Sequence, residues 1–156
     1  MKLAHDHSNG LYAAEQRAFR GRLWDRDKAM ALADAQELVD RHVRNVRVVR
    51  SKSGGYWNPR ERIIGLDREA CMPVVLHELA HAKVSGRDRG HGVTFMKQYV
   101  LLVDHHMGEY WRRRLVKSIE VFQPRGWRQV VEFIRACESA QAALHSGLTA
   151  TKEASQ

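Results

Sequence analysis

Apolar positions along this chain change their spacing twice. Tyr12, Phe19 and Leu23 recur at helical intervals with arginines between them, over Tyr12 to Trp24. Leu32, Ala35, Val39 and His42 repeat that spacing in a second helix, which Asp25 or Asp27 can cap and which runs to about Val43. His42 on that stripe reads as a packed or capping histidine. The spacing then tightens to the β-branched run Val46-Arg47-Val48-Val49-Arg50, which predicts a strand. Tyr56-Trp57 and Arg62-Ile63-Ile64-Gly65-Leu66 flank Asn58-Pro59-Arg60-Glu61, and a proline second in such a turn favours a type I hairpin. Helical spacing returns at Pro73 to Val84, with Val75, Leu79 and Ala82 on one side and Pro73 in the first turn, where its missing N–H costs little. Ser85 to Gly92 is a short glycine-rich loop.

Three further helices follow. Val93 to His106 carries Val93, Met96, Val100 and Val103 on one stripe, and Gly108 breaks it. Glu109 to Phe122 comes next. After the turn Pro124-Arg125-Gly126, Trp127 to about Leu144 places Val130, Ile134, Cys137 and Gln141 at helical spacing. A few contiguous strands among many helices predict the α+β class, with a small, about three-stranded sheet packed on the Pro73–Val84 helix. At 156 residues the chain is expected to hold one domain over 11–145, with disordered ends at 1–10 and 146–156.

Chemistry enters at His77-Glu78-Leu79-Ala80-His81, an H-E-x-x-H motif inside a predicted helix. Residues four apart on a helix differ by about 40° around the axis, so both imidazoles leave one face and can share one metal ion. Glu78 points to the side, where it can reach a water polarised by that metal. Two neutral nitrogen donors and a carboxylate base suit zinc-assisted hydrolysis. A catalytic zinc site expects a third protein ligand. The metzincin pattern would need Gly at 84 and His at 87, and the chain has Val84 and Arg87, which excludes that class. Asp88, His91, Asp104, His105, His106 and Glu109 are the downstream candidates. His91 leads, because its loop has two glycines and enough length to turn back. Cys71, six residues before His77, reads as a small buried hydrophobe.

Composition adds less. Hydrophobic residues at 44% and charged residues at 28% are ordinary globular values. No apolar run approaches a membrane span, and the N-terminus has no apolar signal region. Two cysteines without a disulfide-like framework fit a reducing, cytoplasmic setting. The net charge of +8 rests on nineteen arginines against seven lysines, including the run Arg112-Arg113-Arg114. It is read either as a generally basic surface or as a means of associating with DNA through phosphate contacts.

His77-Glu78-Leu79-Ala80-His81 and His91-Gly92-Val93-Thr94-Phe95, separated by a short polar loop, resemble the H-E-x-x-H … H-G-x-x-F signature of SprT-like zincin metalloproteases. With Tyr56-Trp57-Asn58 and Ile63-Ile64 included, the chain is more similar still to small metallohydrolases encoded in bacterial and phage genomes. The resemblance spans roughly Val46 to Phe122. It implies a minimal zincin-like domain with its core at 46–122. It also implies Zn2+ held by His77, His81 and His91, with Glu78 activating water to cleave a peptide bond of a protein or peptide substrate. From zincin architecture, Ile63 to Leu66 would be the edge strand along which that substrate pairs. The chain departs from the family in having no cysteine-rich C-terminal zinc module. Tyr99, Tyr110, His105, His106 and Arg87 are all chemically able to stabilise an oxyanion. Two other readings stand beside the peptidase. One is a regulatory protease of the ImmA/IrrE type with Glu109 as third ligand; the other is a basic nucleic-acid-binding protein with a structural metal.

Overall fold

Ile63-Ile64-Gly65-Leu66 is buried along its whole length in the computed structural model, which describes residues 8–19, 29–84, 90–122, 128–137 and 139. A continuous apolar run of this kind suits a central strand, covered on both faces. The sheet is built accordingly from β1 (Arg47–Arg50), β2 (Tyr56–Asn58) and β3 (Ile63–Leu66), in the order β1-β3-β2. β2 and β3 form the expected antiparallel hairpin, with Trp57 opposite Ile64. In its turn, the Asn58 side-chain oxygen accepts from the Arg60 and Glu61 N–H groups. β1 pairs with β3 in parallel, Val48 opposite Ile64. The expectation that Ile63 to Leu66 is an edge strand is therefore overturned: both sides of β3 are occupied, and β1 and β2 are the outer strands.

Two side chains finish the sheet. Gly65 lies under Tyr56, its cross-strand partner; a Cβ there would sit 2.1 Å from the tyrosine ring. At the other margin, Gln36 of α2 (Leu32–Asp40) acts as a short substitute strand. Its amide donates to the Val46 carbonyl at 2.8 Å and accepts from the Val48 N–H at 2.7 Å. Each such bond contributes about 1 kcal/mol, and together they satisfy backbone groups that an outer strand otherwise leaves open.

The helices cover the sheet and each other. α1 (Ser8–Ala18) begins inside the segment expected to be unstructured; residues 1–7, like the expected disordered tail at 146–156, lie outside the described residues. Its buried face is Leu11, Ala14, Glu15 and Ala18, continued by Phe19 as expected; Tyr12 is half-exposed instead of inward, and Leu23 lies outside the described residues. α2 starts at Leu32 after Ala31, which makes no side-chain cap; Asp25 and Asp27, expected to cap it, lie outside the described residues. α3 (Met72–Lys83) carries Pro73 in its first turn and sends Val75, Leu76, Leu79 and Ala80 into the core. Cys71, just before it, is buried among apolar side chains as expected.

α4 (Val93–Met107) packs on α3 and ends at Gly108, whose φ of 87° is where a glycine is favoured. α5 (Glu109–Phe122) packs on α4 and α1, with Phe19 against Trp111 at 5.7 Å. Residues 128–137 are also helical and bury Val130 and Ile134, while Cys137 is exposed. Among the described residues, no helix is long and apolar enough to cross a membrane.

Candidate metal centre

Helical spacing places His77 and His81 one turn apart on the face of α3 that looks away from Val75 and Leu79. His91 comes from the other side, immediately before Gly92, the residue that caps α4. Its Nε2 lies 3.0 Å from Nε2 of His77 and 3.1 Å from Nε2 of His81. The ligand atoms of all three lie within 4.8 Å of one another, the one such group among the described residues. Phe95, one turn into α4, forms the floor: its ring centre is 4.2 Å from that of His81, 4.9 Å from His91 and 5.0 Å from His77. That packing brings His91 and Phe95, four residues apart, to the same site.

The donor set fits a metal ion. Nitrogens around a tetrahedral zinc, at bond lengths of about 2.0–2.1 Å, stand roughly 3.3 Å apart. The observed separations are a few tenths shorter, so an ion needs only a slight spreading of the rings. Three imidazole nitrogens facing one point cannot all carry protons there. The His81 imidazole is held down to about 3, by burial first and then by His77 and His91, and so offers a lone pair.

His77 is prepared from behind. Its Nδ1 is 2.7 Å from Oε1 of Glu15 on α1, in a contact where both side chains are almost wholly buried. A carboxylate can only accept, so Nδ1 carries the hydrogen and Nε2 is left free to ligate. Burial pulls the His77 pKa down, but the charge and hydrogen bond of Glu15 outweigh it and the net direction is up. Positive charge is therefore favoured at this ring. Tyr99, fully buried on α4, also hydrogen-bonds Glu15 and reaches the Pro73 carbonyl at 3.4 Å, so it braces α1 against α3.

Orientation by a carboxylate typically changes metal affinity 10–100-fold. Glu15→Ala is expected to weaken zinc binding by about that factor, read by competition against a chromophoric chelator. An unchanged affinity would show that His77 holds its orientation without Glu15.

Glu78 sits beside the histidines with only 6% of its surface exposed. Burial, aided by the Glu15 charge and opposed by His77, raises its pKa to about 7, so its carboxyl can both accept and release a proton near neutrality. Gly55, just before β2, gives it room: a Cβ there would lie 2.8 Å from Oε1 of Glu78 and 3.0 Å from Val74 Cγ1. The centre opens into a cleft of about 710 Å³ lined by Tyr12, Tyr56, Trp57, Arg60, Glu78 and Val84, among others. The Tyr12 ring stacks on His77 at 5.8 Å and meets His91 edge-on at 5.6 Å.

The other candidates are placed elsewhere. Asp104, near the C-terminal end of α4, pairs with Arg112 at 3.1 Å, and Glu109, at the start of α5, with Arg113 at 2.6 Å. Glu109 therefore does not complete the site. His105 and His106 close the other end of α4, Tyr110 is exposed and bonded by Arg114, and Arg87 and Asp88 lie outside the described residues. Arg112 is buried, and Arg114 lies over the Tyr110 and Trp111 rings.

The sequence reading missed Tyr12 and Glu15. The available signal was Glu15 itself: a carboxylate at the spacing of Leu11, Ala14 and Ala18 has to find a buried partner. Comparison with protein-family models, with curated proteins and with solved structures found no match.

Proposed function

We propose that this chain is a zinc-dependent peptidase that hydrolyses a peptide bond of an extended protein or peptide segment laid along β2. One observation carries the reading: a three-histidine donor set and a buried carboxylate share the floor of an open cleft. A purely structural zinc normally closes its shell with four protein ligands, whereas this group offers three and faces space. His77, His81 and His91 would hold the ion. When bound, zinc supplies Lewis acidity that polarises a carbonyl and makes water easier to deprotonate.

The remaining work belongs to the chain. The outer edge of β2 is the sheet margin nearest the centre, and its N–H and C=O groups can pair with an extended backbone. Tyr56 and Trp57 give that backbone an aromatic wall, and Arg60 gives the far end of the cleft a positive charge. Glu78 takes a proton from the attacking water on its carboxylate and returns it to the departing amine. Its burial keeps bulk water from competing for that proton. Tyr12 roofs the histidines and narrows the entrance.

The test is metal removal and return. Purified protein incubated with a mixture of unstructured protein substrates is expected to cleave them, to lose cleavage on exhaustive chelation, and to regain it with one equivalent of zinc. Cleavage that persists unchanged in the chelated protein would overturn the proposal.

A further inference from the structure

At the opposite end of α4 three more histidines gather, well away from the cleft. His42 follows the C-terminal end of α2, and His105 and His106 occupy the last turn of α4. Nε2 of His42 lies 2.7 Å from Nε2 of His106, with ring centres 4.9 Å apart and planes at 74°. The His105 ring is 4.7 Å from that of His106 and 6.1 Å from that of His42. The head-on meeting of two ring nitrogens resembles the contacts that His91 makes with His77 and His81, at a separation a few tenths of an ångström shorter. Two nitrogens so placed share either one proton or one cation.

Several features favour the cation. His42 and His106 are only partly buried, so an ion from solvent can reach them. Beside them is a cavity of about 370 Å³ lined by His42, Lys83, Gln98, Asp104 and His105, among others. The C-terminal ends of α2, α3 and α4 supply its surroundings, through Arg41 and His42, Lys83, and His105 and His106 respectively. The partial negative charge of helix C-termini attracts cations. Two positive side chains oppose an ion here. Arg41 is turned to Glu37, with which it forms an ion pair, while Lys83 faces the cavity and weakens the site relative to the buried centre. Asp104 is engaged with Arg112.

We propose that His42 and His106 form a second, two-imidazole binding site for a first-row divalent cation of the imidazole-preferring kind, Zn2+, Ni2+ or Cu2+, with water in its other positions and His105 alongside rather than among the donors. An ion there ties the end of α2 to the end of α4, the helix that carries Phe95 and Tyr99 beneath the first centre. The site is independent of the proposed peptidase reading, since it uses none of its residues.

Equilibrium dialysis against excess zinc, followed by metal analysis, tests it. His42→Gln and His106→Gln are each expected to bind one equivalent fewer than the unchanged protein, and to do so again in a His91→Ala background. The two substitutions lie on different elements, so a folding defect in one leaves the other to report. Equal zinc uptake by the unchanged protein and both variants would overturn the second site, whatever the first centre binds.

Discussion

Glu78→Gln is expected to retain zinc at His77, His81 and His91 while peptide hydrolysis falls by about 10²–10⁴-fold, the usual contribution of a positioned general base. The amide has the shape of the carboxyl group but cannot take a proton from water. Because Glu78 is buried and its charged form is disfavoured there, losing that charge removes a desolvation cost rather than a stabilising interaction. The variant should therefore melt no lower than the unchanged protein. The decisive measurement pairs metal content with hydrolysis of one cleavable peptide. Full hydrolysis at full zinc occupancy would remove Glu78 from the mechanism and leave the site without an identified base.

His91→Ala should act on the metal first. Zinc binding in small protein sites is worth about 10–16 kcal/mol over four ligands, so one imidazole carries roughly 3 kcal/mol, or about 10²-fold in affinity. His91 also packs on Phe95 and brings the start of α4 against α3, so its removal loosens that junction as well. Zinc affinity is expected to fall by at least that factor, and hydrolysis at limiting zinc should fall with it. Glu109→Ala provides the contrast: its carboxylate is paired with Arg113 beyond α4, and zinc affinity should be unchanged. Loss of zinc from the Glu109 variant, with retention in the His91 variant, would restore the ImmA/IrrE-type ligand set and sink this one.

What was legible in the sequence was what local spacing determines. The one-turn separation of His77 and His81, Pro73 in the first turn of α3, and the turn at Asn58-Pro59 each depend on neighbours within a few residues. His91 could be singled out because the glycine-containing loop before it limits where the chain can go next. The parallel pairing of β1 with β3 depended on β2 crossing to the far side, which no local pattern announces. The unbroken apolar run at Ile63–Leu66 was nevertheless the mark of an interior strand. Glu15 was harder to find because its partner is 62 residues away, on a helix that meets α1 only in the folded protein. Nothing near Glu15 distinguishes it from a solvated glutamate except its place in a buried stripe. The arginines divide on the same ground: Arg113 pairs with Glu109 one turn back on α5, whereas Arg112 finds Asp104 only once α4 and α5 are packed.

The Gln36 amide gives the sheet a direction of growth. At β1 the backbone groups of Val46 and Val48 are already engaged by one side chain, so a stray strand arriving there finds little to hold. At β2 no such plug is needed if a visiting segment is not meant to stay. The exposed margin that would be an aggregation hazard in a stable scaffold lies here beside three histidines and a glutamate. In the peptidase reading, a chain captured at that margin is cut and released as two shorter pieces, each with less backbone to hold it.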